Sequence, residues 1–173
     1  MALKPQDIYV LLKMVALGHE RWSYGLLADE LGMSPSQVHS AVKRSMESGL
    51  AVKSGDSIRP NISALREFLI HGVRYAFAPQ RGEMTRGIPT AHAAPVAKDM
   101  FLSDSEPPPV WPDANGQVRG IGFSPVYKAA PRAARNDPKF YDMLALVDMI
   151  RGGRAREKAY AVKELSHRMD ECA

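Results

Sequence analysis

Ser34, Ser36, Gln37, His39, Ser40, Lys43 and Arg44 put seven hydrogen-bonding side chains into one short stretch. Hydroxyls, an amide and an imidazole can each donate to or accept from base edges in the major groove. A lysine or arginine there can meet either a base edge or a phosphate. Lys53 and Arg59 follow a little later, with the charge to hold phosphates or enter a minor groove. Interleaved with the first group are Val38, Ala41, Val42 and Met46 at helical spacing. That stripe is expected to be buried, which leaves Ser36, Gln37, His39, Ser40, Lys43 and Arg44 on the solvent side.

Each candidate has a plainer reading beside it. Ser34 and Gln37 form a Ser-x-x-Gln capping box, which can occupy both side chains. His39 reads equally well as a solvated helix residue. Lys53 and Arg59 also fit as ordinary surface charges.

Other chemistries lack their residues. There is no glycine-rich loop ending in Gly-Lys-Ser or Gly-Lys-Thr. The run Gly116, Gly120, Gly122 is not set between a strand and a helix, so it fails as a dinucleotide motif. His19, His39, His71, His92 and His167 share no metal-ligand spacing. No Gly-x-Ser-x-Gly elbow occurs. The sequence therefore predicts no enzyme, no cofactor and no metal.

The elements that must position these residues are well punctuated. Pro5 and Gly18 bracket a helix over Lys4–Gly18, with Ile8, Leu11, Leu12 and Val15 on one face. Ser23 caps a second helix that stops at Gly32, where a left-handed residue is wanted. Ser34 and Pro35 start a third, ending at Gly49. Leu50–Lys53 and Ser57–Pro60 flank Ser54-Gly55-Asp56 and predict a hairpin. Asn61 caps a fourth helix with Ile62, Leu65 and Leu69 on one face. The critical piece is Leu31-Gly32-Met33-Ser34, a tight turn between two helices.

Beyond Val73 the character changes. Nine of the 13 prolines lie in residues 73–136, which forbids long helices there. Val73–Phe77 reads as a short strand. Asn115-Gly116 reads as a hairpin turn between Trp111 and Ile121, and Ser103–Pro109 as partly disordered chain. Asp137-Pro138 then opens a helix with Tyr141, Leu144, Val147 and Ile150 on one stripe. After Gly152-Gly153 a last helix carries Ala155, Ala159, Val162, Leu165 and Met169. The expected fold is mostly α with a small β wing, an α+β class. It is divided into residues 1–75, a Pro-rich segment 76–136, and a C-terminal helical hairpin 137–173.

The run from Trp22 through Val38, continued by Ser48-Gly49-Leu50-Ala51-Val52, resembles the winged helix-turn-helix transcriptional regulators of bacteria, of the broad MarR-like and ArsR-like kind. The resemblance covers about the first 75 residues. It implies sequence-specific binding of double-stranded DNA by a homodimeric repressor, with Pro35–Ser48 as the recognition helix and with Ser34, Ser36, Gln37, His39, Ser40, Lys43, Arg44, Lys53 and Arg59 at the DNA. Helices 137–169 would then pair two copies. The rival reading is a protein-interaction module, antitoxin- or adaptor-like. In that reading the Pro-rich and C-terminal parts bind a protein partner encoded nearby. A third reading has Tyr75, Phe77, Trp111, Phe123, Tyr127, Phe140 and Tyr141 lining a ligand pocket, where an apolar core is the plainer assignment.

Composition constrains the setting. The 173 residues are 45% hydrophobic and 24% charged, with net charge +4 and a pI near 9.3, which suits an anionic partner without requiring one. Residues 1–72 carry four Lys and four Arg against seven acids, almost neutral, whereas residues 73–136 carry an excess of three positive charges. The lone Cys172 excludes an internal disulfide framework. The first residues lack a signal pattern, and the apolar run Ile8–Leu17 is broken by Lys13 and too short to span a bilayer. A cytoplasmic protein with no membrane partner is expected.

Overall fold

The computed structural model describes residues 1–101 and 103–172. Leu102 and Ala173, within the expected middle and C-terminal segments, lie outside them. The fold is α+β, helices with one two-stranded and one three-stranded sheet. None of the described helices is long and apolar enough to cross a membrane.

Helices α1 (Pro5–Leu17), α2 (Tyr24–Leu31) and α3 (Pro35–Glu47) follow the local signals closely. Strands β1 (Ala51–Ser54) and β2 (Ser57–Pro60) pair antiparallel, Ala51 with Pro60 and Ser54 with Ser57. Helix α4 (Ile62–His71) starts at the Asn61 cap, whose side chain accepts from the Ala64 N–H at 3.2 Å.

Val73–Phe77 is not a strand. Residues Val73–Ala76 form one helical turn, α5, whose amides bond back to Gly72 and Val73. Val73 itself is fully buried, so the apolar content that suggested a strand serves helix packing instead.

The Pro-rich middle folds into three short strands, β3 (Arg81–Pro89), β4 (Pro109–Pro112) and β5 (Val118–Phe123), each paired with the other two. Asn115-Gly116 does sit in a turn, closed by the Gly116 N–H on the Asp113 carbonyl. That turn does not make a hairpin, because β4 and β5 run parallel. Gly87 of β3 pairs with Pro112 on one side and with Val118 on the other. The chain thus passes along one edge of β3, crosses it, and continues along the other edge. The crossing is too close for side chains. A Cβ on Gly116 would lie 2.4 Å from the Gly87 backbone, and one on Gly87 would lie 2.0 Å from the Trp111 carbonyl oxygen.

A 3₁₀ turn (Ala91–Ala93), a short helix α6 (Lys98–Phe101) and helix α7 (Ala130–Arg135) complete the middle. Helices α8 (Pro138–Gly152) and α9 (Ala155–Glu171) pack as the expected helical hairpin. Helix α8, however, is buried on every side from Met143 to Arg151, packed among α1, α4, α5, α7, α9 and the 3₁₀ turn. Helix α1 is likewise buried all round from Asp7 to Val15. Each covers the face of the other that the sequence pattern left unassigned. Tyr9 of α1 lies between Tyr127 and Phe140, ring centroids 5.0 and 5.2 Å away.

One hydrophobic core therefore runs from Ile8 to Met169. The three expected segments share it, and α8 has no free face with which to pair a second copy. Six of the seven aromatics proposed for a ligand pocket, Phe77, Trp111, Phe123, Tyr127, Phe140 and Tyr141, are buried or half-buried, while Tyr75 stands exposed. Buried polar contacts help hold the middle to this core. Asp148 of α8 accepts from Thr90 Oγ1 at 2.7 Å, Trp111 Nε1 at 2.8 Å and Arg151 Nη1 at 2.7 Å. Burial pushes the Asp148 carboxyl up, and Arg151 and the two neutral donors pull it back. Burial also pushes the Tyr141 hydroxyl up to about 12, where it stays a donor to the Pro89 carbonyl.

Candidate nucleic-acid interface

The turn between α2 and α3 is set by two local devices. Gly32 takes φ +69°, a left-handed conformation that an L side chain rarely adopts. Ser34 then opens α3, its Oγ accepting from the Gln37 N–H at 3.2 Å while Gln37 Oε1 accepts from the Ser34 N–H at 2.9 Å. This capping box occupies one acceptor of each side chain and leaves the Gln37 amide nitrogen without a role in it. The Ser36 hydroxyl lies 3.2 Å from that of Ser34.

Ser36, Gln37, His39 and Lys43 are exposed and Ser40 is half-buried. The His39 ring lies 5.2 Å from that of Tyr24, which meets Trp22 edge-on at 5.4 Å. These three rings form a row from the α1–α2 loop to α3. Periodicity gave Tyr24 and Trp22 no such role, since they lie on a different element from His39. Lys43 has no carboxylate within ion-pair distance among the described residues.

Arg44 is the main correction. The helical pattern placed it on the solvent side, but its side chain is 5% exposed and pairs with the fully buried Asp7. Periodicity locates a Cα and not the end of a long side chain. Its partner lies 37 residues away in the first turn of α1, beyond the reach of any local pattern. Met46, expected on the buried stripe, is instead 37% exposed, and Ser45 takes a buried position by donating to the Ala41 carbonyl at 2.8 Å.

In the hairpin, Lys53 pairs with Ile58 and Val52 pairs with Arg59. Because side chains alternate along a strand, Lys53 and Arg59 occupy opposite faces of it. Arg59 Nη1 lies 3.1 Å from His19 Nδ1, which ties the hairpin to the α1–α2 loop. Between them lies a cleft of about 760 Å³ lined by His19, Arg21, Trp22, Tyr24, Asp56 and Arg59, among others.

Several cations of residues 1–72 are committed to the fold. Lys13 lies between Asp137 at 2.6 Å and Glu30 at 2.9 Å. Burial alone would lower its pKa, but the bonds to Asp137 and Glu30 raise it. Arg44 pairs with Asp7, and Arg66 with Asp170. Lys4, Arg21, Lys43, Lys53 and Arg59 are left without a carboxylate partner among the described residues. In the sequence Arg132 is only one cation of the middle segment, yet α7 brings it to the α2–α3 turn. Its Nη1 lies 3.8 Å from where a Gly32 Cβ would be.

Among the described residues no group of three or more His, Cys, Asp or Glu side chains could hold a metal ion. Compared with known protein families, curated proteins and solved structures, the chain matches none significantly.

Proposed function

We propose that this chain binds double-stranded DNA in a sequence-specific way, as a winged helix-turn-helix regulator that represses by occupying its site. The observation that carries the reading is the exposed face of α3. Ser36, the Gln37 amide, His39 and Lys43, with Ser40 half-buried among them, lie just past a tight turn, beside a two-stranded hairpin whose Lys53 and Arg59 have no carboxylate partner among the described residues. Such a helix suits the major groove, its N-terminal half toward base edges and Lys43 toward a phosphate or guanine. The hairpin then serves as the wing, with one of Lys53 and Arg59 on each face.

A single recognition helix reads only a few base pairs, so two copies on a palindromic site are the natural arrangement. Since α8 is enclosed, contact between the copies falls to surfaces outside it, or to the DNA that both occupy. In the antitoxin-like alternative, the Pro-rich segment would meet a partner as a folded surface packed on α8 and not as extended chain.

Selection from a random duplex pool, followed by anisotropy titration at fixed salt, tests the reading. Enrichment of one palindromic motif, bound at least about a thousandfold more tightly than random duplex, is the expected result at the lower end of specific recognition. Equal affinity for every duplex would overturn it.

A further inference from the structure

A traceable series of contacts leads from the α2–α3 turn, through α7, to exposed arginines on β3 and β5. Arg132 of α7 sits beside Gly32. One turn later Arg135 reaches Asp113 at 3.2 Å. The Asp113 N–H donates to the Arg86 carbonyl at 3.0 Å. Arg86 is the direct cross-strand partner of Arg119. Lys128, just before α7, is exposed, as are Arg132, Arg86 and Arg119. None of these four has a carboxylate within ion-pair distance among the described residues.

The Arg86–Arg119 pairing is unfavourable for the isolated protein. Directly opposed residues on antiparallel strands put their side chains on one face, and like charges there repel. An anion placed between them removes that penalty. Arg135 is already neutralised by Asp113, so the free charge sits at the two ends of the series, near α3 and on the β3–β5 face.

We propose that Lys128, Arg132, Arg86 and Arg119 form a basic belt that grips the phosphate backbone of the same duplex, flanking the base pairs read by α3. The proposal rests on the DNA-binding reading above. It accounts for residues 73–136 holding the chain's excess positive charge while residues 1–72 are almost neutral. The belt contributes affinity without sequence preference, because phosphates are alike at every step.

The test compares the parent with Arg86→Gln/Arg119→Gln/Arg132→Gln, its all-lysine counterpart and Lys43→Ala, by anisotropy across a salt series on the selected duplex with long flanks. The glutamine variant is expected to keep its thermal midpoint and its sequence preference. Its affinity should fall at least about tenfold, and the slope of log K against log salt should shrink by roughly 2 to 3, close to one unit for each phosphate no longer neutralised. The lysine variant should keep most of the slope. Parental affinity and slope in the glutamine variant, alongside weakened binding by Lys43→Ala, would remove the belt and leave the α3 reading standing. Parent protein that binds no duplex would overturn both.

Discussion

Arg44 holds Asp7 through three hydrogen bonds in a pair closed to solvent, Nε to the two carboxylate oxygens at 3.1 and 2.9 Å and Nη2 to Oδ1 at 2.7 Å. Asp7 also accepts from the Lys4 N–H at 2.8 Å, so one carboxylate starts α1 and anchors α3. A buried pair adds little net stability over an apolar substitute, but removing one member leaves a bare charge in the core. Arg44→Ala is therefore expected to cost about 3 to 5 kcal/mol in urea unfolding. A measured destabilisation below about 1 kcal/mol would return Arg44 to the surface and to the proposed DNA-binding face.

Lys43 is one residue away and behaves oppositely. It is exposed, so Lys43→Ala should change stability by under about 0.5 kcal/mol. It should nonetheless weaken duplex binding several-fold and reduce the salt slope by about 0.9. Val42→Asp, at a position 2% exposed, places an unpaired charge in the core and should unfold the protein. Circular dichroism and anisotropy on these two variants separate a weakened interface from a disrupted fold.

Gly32 is constrained twice. Its φ of +69° disfavours a side chain, and a Cβ there would lie 3.1 Å from the Ala129 Cβ of the segment entering α7. Gly32→Ala should cost about 1 to 2 kcal/mol for the backbone conformation, and more if α7 cannot yield. Displacement of α7 should also move Arg132, so the salt slope of DNA binding should fall along with the thermal midpoint. A stable Gly32→Ala protein with an unchanged salt slope would contradict this coupling.

Asp148 joins β4, the 3₁₀ turn and α8 at one buried point. Asp148→Ala strands Arg151, which is 5% exposed and, among the described residues, otherwise bonds to the Phe77 and Ser124 carbonyls. The expected cost is again about 3 to 5 kcal/mol. Because one core spans the chain, the damage should not stay local. In a Trp22→Phe background, Trp111 fluorescence reports the strands and far-ultraviolet circular dichroism reports the helices. The two unfolding curves should coincide, and separate midpoints would show two independent units.

Much of residues 1–72 was legible in the sequence for a physical reason. Caps, capping boxes, left-handed glycines and a tight hairpin are interactions over a few residues, and Ser23, Gly32, Ser34, Gln37 and Asn61 each act within that short span. The candidate face of α3 was readable to the same extent, for Ser36, His39 and Lys43. What depended on distant chain was not readable. No local pattern could pair Arg44 with Asp7, bring Arg132 to Gly32, or thread β4 and β5 parallel about β3. Nor could it show that α1 and α8 pack against one another, which places α8 of the expected C-terminal hairpin at the centre of the core. Hydrophobic periodicity records that a residue is apolar. Which surface covers it is settled only when the whole chain closes, and here that closure took Arg44 off the exposed face of α3 and brought Arg132 beside the α2–α3 turn.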